Sequence, residues 1–219
     1  MPANSECPIC GKRKAARFCP AKGEFICAVC CGTEREVTID CPVDCGYLLA
    51  AHRYEARHRK PLTVAETPFR DVEFSPDVIH EFQSVVSGLA FAILKAAAEY
   101  PAAVDVDVLT ALQALAETYR TLGSGLYYER PPAAGPPHAL YASLAAFLED
   151  VKKQRGQEPA LARLKDGTIF YLIVFLLRVG KQQTNGRPRA RIFLQFLRAQ
   201  FPRAAQPAAQ AQPSRIIVP

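Results

Sequence analysis

No apolar run in this 219-residue chain exceeds nine residues, Ile169 to Leu177. A membrane-spanning helix needs roughly 20, so that run is expected to be a buried core helix. The first ten residues, Met1 to Cys10, lack both the charged n-region and the apolar h-region of a secretory signal. A soluble protein of the cytoplasm is the expectation. Cysteine is missing from all residues beyond Cys45, and acidic residues are missing from residues 181 to 219. Also missing are a phosphate-binding glycine loop with lysine, an H-E-x-x-H pair and a G-x-S-x-G turn, which removes the commonest signatures of nucleotide, metalloprotease and serine-hydrolase chemistry. Gly123-Ser124-Gly125 reads as a helix-ending loop. No internal repeat is evident.

What is present divides along the chain. With 49% hydrophobic residues, the chain can bury one medium core and support one small module. The net charge of +6 is uneven. Residues 1 to 60 carry +3, residues 61 to 180 carry −4, and residues 181 to 219 carry +7. Eight thiolates with two divalent ions would turn the amino-terminal +3 into −1, so the cysteine region is not expected to be a basic patch.

The cysteines read Cys7-x2-Cys10-x8-Cys19-x7-Cys27-x2-Cys30-Cys31-x9-Cys41-x3-Cys45. Two C-x2-C pairs beside turn residues let thiolates converge on one tetrahedral ion. In a reducing compartment such clustering favours zinc over disulfides or iron–sulfur chemistry. Cys30 and Cys31 are neighbours whose side chains diverge on an extended or turning backbone. They are therefore assigned to different ions: Cys7, Cys10, Cys27 and Cys30 to one zinc, and Cys19, Cys31, Cys41 and Cys45 to the other. A module of this size is too short for an apolar core, and metal replaces it. His52 is the reserve ligand should Cys31 be free, while His58, His80 and His138 have no partner pattern. With every thiol committed and both sites closed by four ligands, neither a nucleophile nor an open zinc position remains. An enzyme is not expected; the residual enzymatic possibility is a pocket in the helical domain.

Cys7-x2-Cys10 followed by Phe18-Cys19-x7-Cys27-x2-Cys30, with the strand-turn-strand text Phe18 to Cys27, resembles a B-box-type zinc finger over residues 7 to 31. The chain departs from that pattern at Cys10, where the family has histidine, at Lys22, where a ligand would stand, and at Cys41 and Cys45, which would replace two histidines. The resemblance implies a cross-braced, two-zinc fold that mediates protein contacts. No RING or coiled coil accompanies it, so ubiquitin-ligase function is not implied.

The remainder reads as helices. Residues 46 to 58 form one, with the last ligand at its first turn. Residues 60 to 75, with two prolines, a third following at Pro76, and no clear periodicity, read as a linker. Ser75-Pro76-Asp77 carries a capping serine, proline at the first helical position and an acid near the positive end of the dipole, opening a helix that runs to Pro101. Further helices are expected over about 105 to 122, 138 to 153, 169 to 182 and, starting at Arg187-Pro188, up to about Phe201. Leu161 and Leu164 fit either a helical turn or a stray strand. The acids Asp105, Asp107, Glu149 and Asp150 read as solvated charge at helix ends or on exposed faces.

The expected fold is mainly α: a two-zinc finger domain over 1–59, a linker over 60–75, an all-α helical bundle over 76–202 and a disordered tail over 203–219. The expected function is a non-catalytic zinc-binding adapter for a protein partner of unknown identity. The alternative is nucleic-acid binding through the basic segment 187–203, where Arg187, Arg189, Arg191, Arg198 and Arg203 interleave with Phe193, Phe196 and Phe201. The reading favoured for that segment is an amphipathic helix with its arginines outward.

Overall fold

The computed structural model describes residues 6–123, 125–126, 128–155 and 161–201. The expected tail 203–219, Arg203 and Ser124 lie outside them. Within the described residues the chain is mainly α, and none of its helices is long and apolar enough to cross a membrane.

The cysteine-bearing region begins with a two-stranded antiparallel hairpin, β1 (Arg17–Cys19) and β2 (Glu24–Ile26), with Phe18 opposite Phe25. Gly23, at φ +68°, closes the turn by donating its N–H to the Cys19 carbonyl at 2.8 Å, a backbone angle that glycine adopts at less cost than a residue with a Cβ. Helix α1 (Ala28–Glu34) follows, then α2 (Gly46–Arg57), entered from Cys45. Cys30 and Cys31 therefore diverge around a helical turn, not along an extended chain. Cys7, Cys19, Ile26, Cys27, Cys30 and Ile39 form a small buried cluster of their own.

The helical core is made by α3 (Pro76–Glu81), α4 (Gln83–Glu99), α5 (Asp105–Gly123), α6 (Pro136–Gln154), α7 (Asp166–Gln183) and α8 (Ile192–Gln200). α5 packs along α6 and α7, and α4 along α6. The nearly all-apolar α7 lies at the centre, with Ile169, Leu172, Ile173, Val174 and Leu177 fully buried. Gly180 on α7 allows its close approach, since a Cβ there would stand 2.7 Å from Leu109 and 2.8 Å from Phe193. Leu161 and Leu164 form a turn, with the Leu164 N–H on the Leu161 carbonyl at 3.0 Å.

Four expectations are corrected. The single helix from Ser75 to Tyr100 is two, broken at Phe82 (φ −107°, ψ 26°), whose ring is buried in the core. No glycine or proline marks this break; burial of the ring takes precedence over helical continuity. The Ser75 side chain makes no capping bond, and its backbone N–H donates to the Tyr171 hydroxyl instead. Segment 60–75 is not free of the fold: Arg178 holds the Pro68 carbonyl at 2.9 Å and also bonds that of Phe69, and Phe74 packs edge-on against Tyr171 and Phe175. Arg187-Pro188 does not open the last helix, which begins at Ile192; residues 187 to 191 instead cross the cysteine-bearing region as an irregular strap.

Asp105 is the fifth difference. It is not solvated charge but only 1% exposed. Its carboxylate accepts the N–H groups of Phe193 at 3.0 Å and Leu194 at 3.2 Å, capping the first turn of α8 from across the core. Asp107 caps its own helix through the Val104 N–H at 3.0 Å, whereas Glu149 and Asp150 are exposed partners of Lys152 and Lys153.

Candidate metal centre

The first C-x2-C turn is shaped by the backbone. The Cys7 N–H donates to the Arg13 carbonyl at 2.8 Å and the Gly11 N–H to the Cys7 carbonyl at 2.7 Å, with Gly11 at φ +59°. The second is shaped by a helix start, because Cys27 is the N-cap of α1 and its sulfur accepts the Cys30 N–H at 3.3 Å. The two turns face one another. The sulfurs of Cys7, Cys10, Cys27 and Cys30 all lie within 4.8 Å of one another, Cys10 to Cys27 at 4.0 Å. Tetrahedral zinc with bonds of about 2.3 Å places its sulfurs about 3.8 Å apart. This group can hold a metal ion, and the four-sulfur, mostly buried donor set suits zinc.

The electrostatics agree with that use. Burial acts to raise the Cys7 thiol, but backbone bonds at Cys27, Cys10 and Ile9 outweigh it and bring it down to about 6. The backbone N–H at Lys12 lowers Cys10. Cys30 is pushed up to about 12 by burial and by its crowding against Cys27, Cys10 and Cys7. A divalent cation held among these sulfurs would favour their thiolate forms.

The other four cysteines are arranged differently. Among the described residues only the Cys7 group gathers so tightly. Cys19, Cys31, Cys41 and Cys45 instead line one enclosed cavity of about 10 Å³, between the hairpin and α2, the room that one water-sized sphere needs. Burial raises the Cys41 thiol, and the nearby Cys45 and Cys19 sulfurs add to the effect. Arg35, itself buried, reaches the Cys31 sulfur at 3.9 Å. All eight cysteines are free of disulfides.

His52 is not brought to the sulfurs in the role of a reserve ligand. Its Nε2 lies 3.1 Å from both carboxylate oxygens of Glu36. Glu36 is only 2% exposed and adopts φ 54°, an uncommon conformation for a residue with a Cβ. It is held there by what it connects. Its carboxylate also accepts Asn185 Nδ2 at 3.0 Å, and its carbonyl accepts the Arg189 N–H at 2.8 Å. Burial acts to raise the Glu36 carboxyl, but the bonds from His52 and Asn185, with the charge of Arg187 nearby, hold it below its usual range.

The basic strap completes the joint. Arg187 Nη1 donates to the carbonyls of Gly32 at 3.0 Å and Arg35 at 2.5 Å. Arg191 pairs with Asp40 at 2.5 Å and holds that carboxyl below the ordinary range. These two arginines thus bond to the cysteine-bearing region. Sequence reasoning missed Arg35, Glu36, Asn185, Arg187 and Arg191 in this role, since each bond joins residues far apart in the chain or depends on one unusual φ angle. No family model, curated protein or solved structure matches the chain.

Proposed function

We propose that this protein is a non-catalytic, zinc-stabilised interaction protein of the cytoplasm: a cross-braced finger holding two zinc ions, mounted on a helical bundle. Cys7, Cys10, Cys27 and Cys30 hold the first ion. Cys19, Cys31, Cys41 and Cys45, already lining one small cavity, close around the second. The interleaving of the two sets along the chain is the feature shared with B-box-type fingers.

One observation carries the interaction reading. Phe18 and Phe25 stand opposite each other on the hairpin at 49% and 43% exposure, their rings 5.5 Å apart and edge-on, Phe18 also bordering the small cavity beside Cys19. Cys19 and Ile26, the next residues along the strands, are buried on the metal side. The metal thus fixes the strand faces, and the hairpin presents a rigid aromatic pair of the kind enriched at binding hot spots. Lys12, Lys14 and Lys22 are exposed on the same short stretch, so the partner that fits is a protein segment with apolar anchors flanked by acidic residues. The nucleic-acid reading is disfavoured because Arg191, in the middle of the basic segment, is paired with Asp40 within the molecule.

The test is the double substitution Phe18→Ser with Phe25→Ser, which should leave metal content and helicity unchanged. Each lost aromatic anchor is worth about 2 kcal/mol at a hot spot, so affinity for a partner recovered by cross-linking should fall at least tenfold. Undiminished affinity in a variant that keeps its metal would place the interaction surface elsewhere.

A further inference from the structure

A groove unrelated to the cysteine cluster lies where the strap, segment 59–66 and α5 meet. It has a volume of about 640 Å³, within the roughly 300–1,000 Å³ of small-molecule sites. Four cations line it, Arg59, Lys60, Lys181 and Arg187, against one carboxylate, Glu66. None of the four forms an ion pair among the described residues. Glu66 is turned to its own loop, accepting the Thr63 N–H at 3.0 Å and hydroxyl at 2.7 Å.

Two of the cations are held in place by neutral acceptors, Arg187 with the Glu36 carboxylate near it as well. Arg59 donates to the Gln183 side chain and, at 3.1 Å, to the Gln183 carbonyl. Arg187 is held by the Gly32 and Arg35 carbonyls. Neutral acceptors orient a guanidinium and leave its charge intact. The wall between them is fixed as well, because Gln182 bonds both the Leu62 N–H at 3.1 Å and the Lys60 carbonyl at 2.9 Å. Charge balance at the end of α7 does not absorb this set: a helix carboxy terminus presents roughly half a negative charge, which together with Glu66 and the Glu36 carboxylate near Arg187 leaves the groove at about +1.5. Val106, Leu109 and Lys181 also line a second hollow of about 560 Å³, so the cationic end opens onto room for an uncharged body.

We propose that this groove binds a small phosphorylated molecule, its phosphate groups held by Arg59, Lys60, Lys181 and Arg187 and its organic part lying along Val106 and Leu109. Planar guanidinium forks and flexible ammonium groups together are suited to phosphate oxygens. This assignment is independent of the finger and its partner.

The experiment is calorimetric titration of the full zinc-loaded chain with inorganic pyrophosphate, zinc content being measured before and after. Saturable binding of one pyrophosphate per chain is expected, weakening as salt rises. Lys60→Glu with Lys181→Glu, both at exposed positions, should weaken it roughly tenfold or more, and Lys60→Gln with Lys181→Gln should weaken it less. The control pair Lys95→Glu with Lys165→Glu, exposed and outside the groove, should bind as the wild type does. Absence of saturable binding, or equal loss in the control pair, would overturn the proposal. So would binding of a single-stranded oligonucleotide that the groove variants abolish while pyrophosphate fails to bind, since the site would then serve a polymer.

Discussion

Cys30→Ser is expected to release the metal ion from the Cys7 group and to loosen the fold of residues 6 to 34 around it while the signal from α4 to α8 survives. Cys30 is buried among three other sulfurs, and serine offers no thiolate to complete the set. Structural zinc sites contribute on the order of 10 kcal/mol to folding, and the buried apolar residues of this region, apart from cysteine, are Ala15, Ile26, Ile39 and Leu48. So small a cluster does not replace that contribution. The core around α7, by contrast, contains no metal ligand. Circular dichroism during chelation should therefore show partial, not global, loss of helicity, α1 and α2 being the helices at risk. Loss of all helical signal would mean that the helical core depends on the metal for its own fold.

Asp105→Ala is expected to be the most damaging single substitution away from the cysteines, lowering stability by about 3 kcal/mol. Two N–H groups at the start of α8 depend on this one carboxylate, and both lie in the core. Removing it leaves them unpaired where water does not reach. Asp105→Asn keeps one acceptor oxygen and should cost less. Burial raises the Asp105 carboxyl above its usual value, with the N–H groups of Phe193 and Leu194 opposing that rise. The folded chain therefore binds this proton more readily than the unfolded chain. The sign follows: the contribution is fully present below the unfolded value of about 3.9 and is lost as pH rises through the higher folded value. Denaturant melts of the wild type and Asp105→Asn across that acidic window should differ in slope, and parallel curves would show that the carboxyl is not perturbed.

Asp105 also illustrates how much could be read beforehand. Its position at the start of a helix was legible from Val108, Leu112, Leu115 and Tyr119 at helical spacing, and α5 begins at that residue. Its role was not, because the helix it caps is α8, far along the chain. The helices with a strong apolar stripe were legible for the same local reason, as was the hairpin around Gly23. The strap over residues 187 to 191 was misread because its composition, arginines among apolar residues, suits an amphipathic helix equally well. Carbonyls of Gly32, Arg35 and Glu36 hold it as a turn outside any helix, and nothing near it in sequence signals them. At the metal centre, ligand type and C-x2-C spacing brought Cys7, Cys10, Cys27 and Cys30 together on the page before any geometry. The place of Glu36 could not be read, since a left-handed glutamate has no sequence mark.

The most direct measurement is zinc stoichiometry by native mass spectrometry on the wild type, Cys30→Ser and Cys31→Ser. The account predicts two zinc ions per wild-type chain and at most one in each variant, with Cys30→Ser losing the ion of the Cys7 group and Cys31→Ser the ion of the Cys19 group. Interleaved sites should also couple, so each variant should hold its remaining ion more weakly than the wild type does. A wild-type chain that carries no zinc and has its cysteines paired as disulfides, or a Cys30→Ser variant that retains every ion, would contradict it.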